Sequence, residues 1–428
     1  MRFTVRQTAW LASVSVVARL PGFLIPVIIA SLFGAGPLTD SYFLAYSAAV
    51  FVGGTIAQGI EVAIIPFVSR ERLRTGSAGL PYADLAARRV TQACVGMWLV
   101  AVPLLLWGTA AGLRHSVFQF VICFTPFTVL WSTAAAYGGA LISSGRIAES
   151  TGSMLWRGGG ALLGMATVPF GGGLKAVAVA LSVGELFRVL WLRYRVKRQS
   201  RVETENDPVA LGGFGHAGAA QVLAGATGNS GPVIERLLAV GLGAGAVSHL
   251  EYATRLLIVP AVLFDGALAP LMLVRWSNDV ASSGSGPSRK RTLGIVLKAM
   301  GVAAVSAGLL VLLAEPLVNL LLRHGRFQGS DASTVADLLQ LLALGFVGSM
   351  GALMVERHYL AVSRNRTLAA LSVGRVSVRI LTAVALLPVT GLYAFGYGYI
   401  VSEWSYLLVL CLLLRPSTVA SPASAEEA

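Results

Sequence analysis

The sequence predicts an all-α polytopic membrane protein of about twelve transmembrane helices in two six-helix lobes, with both termini in the cytoplasm. Three observations predict it: composition, the spacing of the apolar runs, and the distribution of basic residues between alternate loops. Of 428 residues, 55% are apolar and 12% charged, and the mean hydropathy is +0.73. A soluble domain carries about 25% charged residues, so the composition excludes an ordinary soluble enzyme. A net charge of +13 would suggest nucleic acid in a soluble protein. On the loops of a membrane protein the same excess belongs opposite anionic lipid, and no nucleic-acid partner is expected.

A spanning helix needs about 20 apolar residues. Apolar runs bounded by charge or by Gly and Pro lie near 8–33, 41–68, 90–113, 116–143, 150–171, 174–195, 216–241, 247–274, 294–322, 334–356, 367–388 and 392–414. The first run is too long for a cleavable leader and is read as retained. Basic residues alternate sharply between the loops. One side holds Arg2, Arg6, the Arg70–Arg89 and Arg193–Arg201 clusters, Arg146, Arg275, the 289–291 run, Arg357, Arg364, Arg366 and Arg415. The other side holds only Arg114, Lys175, Arg323 and Arg326. Positive charge marks the cytoplasmic side, which gives an N-in/C-in topology. The tail 416–428 is small and polar and is expected to be disordered.

The chain resembles itself at an offset of 209. Phe33-Gly34-Ala35-Gly36 closes the first span and Leu242-Gly243-Ala244-Gly245 the seventh, each followed by a segment carrying a tyrosine (Tyr42, Tyr252). A six-span offset leaves both copies in the same orientation, a parallel repeat of the kind that builds transporters. The lobes are therefore placed at 1–205 and 206–415.

Charges inside the spans carry the functional argument, because a charge at mid-bilayer costs at least about 2.5–3.5 kcal/mol and normally faces the bundle interior or a water-filled cavity. Arg188 and Lys298 lie near span ends, where snorkelling suffices. Arg19, Arg157, Arg236, Arg255, Arg375 and Arg379 lie deeper. Arg19 stands next to Pro21-Gly22, an expected break in its helix, and Arg375 and Arg379 share one helix face at i, i+4. The acids that could neutralise them are Asp40, Glu61, Glu185, Glu235, Asp265, Glu356 and Glu403. Arginine grips phosphate in bidentate fashion and stays ionised when buried. The surplus of guanidinium implies a cationic cavity suited to a polyanionic head group such as a pyrophosphate.

Arg19-Leu20-Pro21-Gly22-Phe23, Phe33-Gly34-Ala35-Gly36 and Thr39-Asp40-Ser41-Tyr42-Phe43 resemble the opening of the MurJ/MviN-type lipid II flippases. These belong to the multidrug/oligosaccharidyl-lipid/polysaccharide (MOP) exporter superfamily. Tyr252-Ala253-Thr254-Arg255-Leu256 with Pro260 resembles the family's eighth-span signature. Leu322-Arg323-His324-Gly325-Arg326-Phe327, continued from Asp331 to Gly345, resembles its stretch after span 9. The resemblance implies two six-helix lobes forming a V, with a cationic central cavity. It implies transport by alternating access of an undecaprenyl-pyrophosphate-linked saccharide, lipid II or a related envelope glycan, across the bacterial inner membrane. It makes Arg19 and Arg255 head-group ligands; Arg157, Arg375 and Arg379 are further candidates from their depth in the spans alone. It makes Asp40 a gate or pairing residue; Glu235, Gln58 and Glu61 are further gating or charge-pairing candidates read from the spans themselves. The chain departs from the family pattern at Ile25-Pro26, Gly53, Gln58 and Thr254, where charged residues are usual, and shows twelve spans where fourteen are common.

No catalytic residue, metal site or cofactor is expected. Cys94, Cys123 and Cys411 lie in apolar runs without metal-ligand spacing and read as packing residues, and no GxxxxGK[ST] nucleotide motif occurs. A coupling ion, sodium or proton, stays open. Glu235 paired to a fixed guanidinium would leave no conventional sodium site. The expected partners are the lipid-linked saccharide, the bilayer and other envelope-biosynthesis proteins. The competing readings are an ion-coupled exporter of small cationic molecules on the same fold, which would want acids rather than arginines, and a scaffold paralogue that does not transport. A membrane glycosyltransferase would need a catalytic acid or histidine in a large outer loop, and the outer loops are short.

Overall fold

The computed structural model describes residues 5–61, 64–65, 68, 80–199, 214–264, 268–283, 288–362 and 364–414. The expected disordered tail and Asp265 lie outside the described residues. Among these residues all regular structure is helical, and the helices follow the apolar runs. They are α1 Val5–Phe33, α2 Pro37–Glu61, α3 Leu80–Gly108, α4 Arg114–Ser143, α5 Ile147–Gly152, α6 Met154–Ala166 and α7 Gly173–Gln199. These are followed by α8 Phe214–Val240, α9 Ala246–Leu263, α10 Ala269–Ser283, α11 Arg289–Leu321, α12 Gly329–Ala361, α13 Asn365–Thr390 and α14 Ala394–Leu412.

By contact the chain divides into two compact units. The first is Met1–Ser248 with His324–Phe327, and the second is His249–Arg323 with Gln328–Ala428. Helix α8 thus packs within the first unit, against α2. At the centre of that unit α4 packs on α2, α3 and α7. Phe120, Phe124 and Phe127 are fully buried on one stripe of α4. They meet Tyr42 and Tyr46 of α2 edge-on, tilted or stacked, with ring centroids 5.2–6.2 Å apart. Between Val50 and Gly54 helix α2 makes one π turn, and here it lies close against α4. A Cβ on Gly53 would sit 2.9 Å from the Thr128 carbonyl oxygen, so only glycine allows that approach. π turns of this kind are frequent at functional sites.

Helix α1 runs unbroken from Val5 to Phe33 through both Pro21 and Pro26, which corrects the expected break at Pro21-Gly22. A proline removes one backbone donor but leaves the helix intact where a neighbour braces it. Here the Pro21 ring packs on Gly158 of α6, whose missing side chain makes the room. The helix ends at Gly34, in the left-handed region at φ 71°. A Cβ there would also collide with the Arg326 carbonyl oxygen at 2.8 Å. The His324–Phe327 turn lies against this end, with Arg326 N donating to Ser31 O at 2.9 Å. Helix α2 then starts with Pro37, and the Thr39 hydroxyl closes its first turn on Gly36.

In the second unit α12 is the central helix, packed on α10, α11 and α14. Gly345, Gly348 and Gly351 recur every three residues along it. A Cβ on Gly348 would come within 3.2 Å of Trp404 N, and one on Gly351 within 2.9 Å of Leu407. Small residues at helical spacing let two helices approach backbone to backbone, the usual means of association where no hydrophobic force acts between them. Trp276, Phe346, Tyr359 and Phe395 fill the core around this contact.

Candidate functional site

The deep arginines fall into separate clusters. In the first unit, α6 and α7 cross with almost no side chain between them: a Cβ on Gly184 would lie 3.1 Å from Gly160 Cα and 3.2 Å from Arg157 Cα. That crossing sets Arg157 directly against Glu185. Arg157 Nε and Nη2 donate to Glu185 Oε2 and Oε1 at 2.6 and 3.1 Å. Arg188 Nη1 donates to Glu185 Oε1 at 2.8 Å, and its Nε donates to Ser153 Oγ at 2.9 Å. Glu185 and Arg188 are buried, which corrects the snorkelling reading of Arg188: it turns inward, held by Glu185. The Arg157 guanidinium also lies 4.0 Å from the Trp131 ring centroid and 5.3 Å from that of Phe127. Two guanidiniums share this one carboxylate through hydrogen bonds, and Glu61 is the further acid within electrostatic reach of Arg188.

Arg19 projects from α1, the helix that packs on α5 and α6. It is exposed and makes no hydrogen bond or ion pair with the described residues. On α2, Gln58 accepts from Asn229 Nδ2 of α8 at 3.3 Å, and Thr55 accepts from the same nitrogen at 3.2 Å. Glu61 is half-buried, within electrostatic reach of Arg188. Glu235 is buried on α8 beside Arg236, whose Nη1 donates to the Pro232 carbonyl at 2.8 Å.

Asp40 is buried at the start of α2 and caps another helix. Its carboxylate accepts from Gly245 N at 2.6 Å, Ser248 N at 2.8 Å and Ser248 Oγ at 2.6 Å, all at the N-terminus of α9. An anion there meets both the unpaired N–H groups and the positive end of the helix dipole. Ser248 Oγ also lies 2.9 Å from Thr39 Oγ1, and the two residues are 209 apart in sequence. That separation equals the 209-residue offset noted in the sequence.

In the second unit Arg255 Nε donates to the buried Glu251 Oε1 at 2.6 Å, one turn away on α9. Arg375 Nε and Nη2 both donate to Glu403 Oε1, at 2.9 and 2.6 Å, and its Nη1 lies 3.6 Å from Glu356 Oε1. Arg375 stands 5.1 Å from the Tyr406 ring centroid and Arg379 4.9 Å from that of Tyr399. Two arginines and two glutamates balance in this cluster, so its formal charge is zero. Among the described residues no three His, Cys, Asp or Glu side chains converge as metal ligands.

The sequence profile described as "Lipid II flippase MurJ" matches residues 29–425, nearly the whole chain. The chain belongs to the MurJ lipid II flippase family. It is a transporter rather than an enzyme, and a multi-pass membrane protein. A probable lipid II flippase MurJ from Rickettsia prowazekii (strain Madrid E) is 21% identical over 94% of this chain and 82% of the relative, a distant relationship. Among solved structures, a lipid II flippase MurJ in the inward closed conformation aligns over 94% of this chain and 87% of that one, with a TM-score of 0.78 and 14% identity. An inward-facing multidrug resistance MATE family transporter of the MOP superfamily aligns over 94% of this chain and 96% of that one, with a TM-score of 0.73 and 13% identity. At these identities the structures establish a MurJ/MATE-type fold.

Sequence reasoning named the arginines of this MurJ-family chain but missed two of the groups that hold them. Glu251 was legible, since it precedes Arg255 by four residues on a helix, the spacing of a same-face ion pair. Ser153 was not: nothing local marks one serine among many as the partner of an arginine 35 residues away.

Proposed function

We propose that this MurJ-family chain translocates a polyprenyl-pyrophosphate-linked saccharide, lipid II or a related envelope glycan, across the bacterial cytoplasmic membrane. Transport proceeds by alternating access, with the N- and C-termini on the cytoplasmic side and six helices from each repeat forming a lobe. Guanidinium groups are the pyrophosphate ligands. Arg19 and Arg255 take the leading part, Arg157 supplies a further cation, and Arg375 and Arg379 belong to a structural pair network in the second unit. Asp40, Glu235, Gln58 and Glu61 position helices or balance charge.

The observation that carries this reading is the fixed positive charge left over inside the helices of the first unit. Arg19 has no anionic partner among the described residues, and Arg157 and Arg188 divide one glutamate between them. A pyrophosphate supplies the missing anion, and arginine presents a planar donor fork to it. The same observation weighs against export of cationic drugs, because in the second unit Glu403 and Glu356 face Arg375 rather than an open site.

The test is head-group translocation in proteoliposomes with labelled lipid II and with a simpler undecaprenyl-pyrophosphate glycan, using the native chain, Arg19→Ala and Arg255→Ala. Arginine-dependent flipping of either lipid supports the reading, and the preferred lipid names the head group. A folded native protein that flips neither lipid moves the assignment to a scaffold.

A further inference from the structure

Outside the arginine clusters, α1, α5, α6 and α7 enclose an open groove of about 440 Å³, within the range of roughly 300–1,000 Å³ found for small-molecule sites. Its lining includes Trp10, Val14, Trp156 and Trp191, together with Glu149 and Gly152. Trp10 is 64% and Trp156 46% exposed. Three indoles around an open apolar slot are misplaced in water and belong at a membrane interface, where an amphipathic ring meets both chain and head group.

The charge beside the groove has a defined sign. Arg195 Nη2 and Nε bind Glu149 Oε1 and Oε2 at 2.6 and 2.7 Å, and Arg146 Nη1 binds Glu149 Oε1 at 2.8 Å. The Arg195 guanidinium sits 5.6 Å from the Trp191 ring centroid. Hydrogen bonds from Arg195 hold the Glu149 carboxyl below the usual carboxylate range, so it stays ionised, and two cations share it. The surplus positive charge is reinforced by exposed Lys197 and Arg198 in the last turn of α7. An apolar slot beside a net cation calls for an amphiphile with an anionic head, and basic clusters at helix ends recruit anionic lipid.

The geometry points to a binding site for an anionic phospholipid, one acyl chain lying between Trp10, Trp156 and Trp191 and the phosphate lying against Arg195 and Arg146. Such a lipid would wedge α1, the helix that carries Arg19, against α5–α7. The assignment does not depend on which saccharide the chain transports.

The experiment is native mass spectrometry of the full chain released from nanodiscs of phosphatidylglycerol or of phosphatidylcholine. Two variants are compared with the native protein. Gly152→Phe fills the slot from its lining, where a Cβ meets only Val14 at 3.7 Å, and leaves the charges in place. Arg195→Gln removes one cation. One retained phosphatidylglycerol is expected on the native chain, retention at the phosphatidylcholine level in Gly152→Phe, and about a fivefold loss in Arg195→Gln, the factor expected for one basic residue near an anionic head group. Equal retention of the two lipids by the native chain, or native-like retention by Gly152→Phe, overturns the proposal. So does displacement of the phosphatidylglycerol by equimolar undecaprenyl phosphate, which would give the groove to the polyprenyl substrate.

Discussion

Replacing Glu185 by glutamine keeps the shape of the side chain and removes its charge. In the native protein its two oxygens receive three charge-assisted hydrogen bonds, at 2.6 and 3.1 Å from Arg157 and 2.8 Å from Arg188. The glutamate side chain is fully buried and that of Arg188 only 5% exposed, so the variant leaves a guanidinium buried without its hydrogen-bonded carboxylate. Breaking one side of a buried pair costs about 3–5 kcal/mol, because the remaining charge stays desolvated. Arg157 will account for the smaller part, since its side chain is 17% exposed and retains the Trp131 ring. The assay is reversible unfolding of the purified chain in mixed micelles, comparing Glu185→Gln with the double variant Glu185→Gln/Arg188→Met. The single variant should lose several kcal/mol, and the double variant should recover more than half, because removing both members of a buried pair is often near neutral. A single variant within about 0.5 kcal/mol of native, the range of ordinary surface substitutions, would refute the reasoning, as would a double variant less stable than the single one.

Gly184→Leu should destabilise by about 1–3 kcal/mol or more, since it overpacks a crossing where Gly160 Cα is 3.1 Å from the new Cβ. Gly159→Leu, where a Cβ meets nothing within 4 Å, should be tolerated; thermal unfolding in detergent distinguishes them. Asp40→Ala removes the cap on α9 and should cost about 1–2 kcal/mol in the same assay, with Asp40→Asn intermediate. The Glu149 carboxyl lies below its ordinary value near 4.5 because Arg195 and Arg146 favour its charged form. A depressed folded value contributes stability above the unfolded value and loses it as the pH falls through the folded one. The native chain should therefore lose stability below about pH 4.5, and Glu149→Gln should lack that part of the loss. With these side chains about a quarter or more exposed, the effect should be at most about 1 kcal/mol per pair.

Helix positions were legible in the sequence because apolar runs and their boundaries are local properties. The run at 116–143 became Arg114–Ser143 and that at 367–388 became Asn365–Thr390. Where the pattern misled, packing had intervened. Helix α3 begins at Leu80, ten residues before its apolar run, because Asp84 on its polar first turns binds Arg193 and Tyr137. The single run at 150–171 is divided at Ser153, whose hydroxyl turns back to the Ser150 carbonyl and receives Arg188. Pro21 reads as a break in isolation and becomes a packing surface once Gly158 stands opposite. The site was only partly legible for the same reason. Residue type and depth single out Arg19, Arg157 and Arg255, whereas the guanidinium left without an anion depends on where Glu185, Glu251 and Glu403 arrive from other turns and helices.

Arg19 tests the central claim most directly, because it is exposed and makes no ion pair with the described residues. Arg19→Ala should leave the unfolding transition within about 0.5 kcal/mol of native. It should reduce flipping of a labelled undecaprenyl-pyrophosphate saccharide in proteoliposomes by about tenfold or more, as loss of a charge-assisted phosphate contact of about 1.5–3 kcal/mol requires. Native flipping rates in a stably folded Arg19→Ala protein would contradict the account.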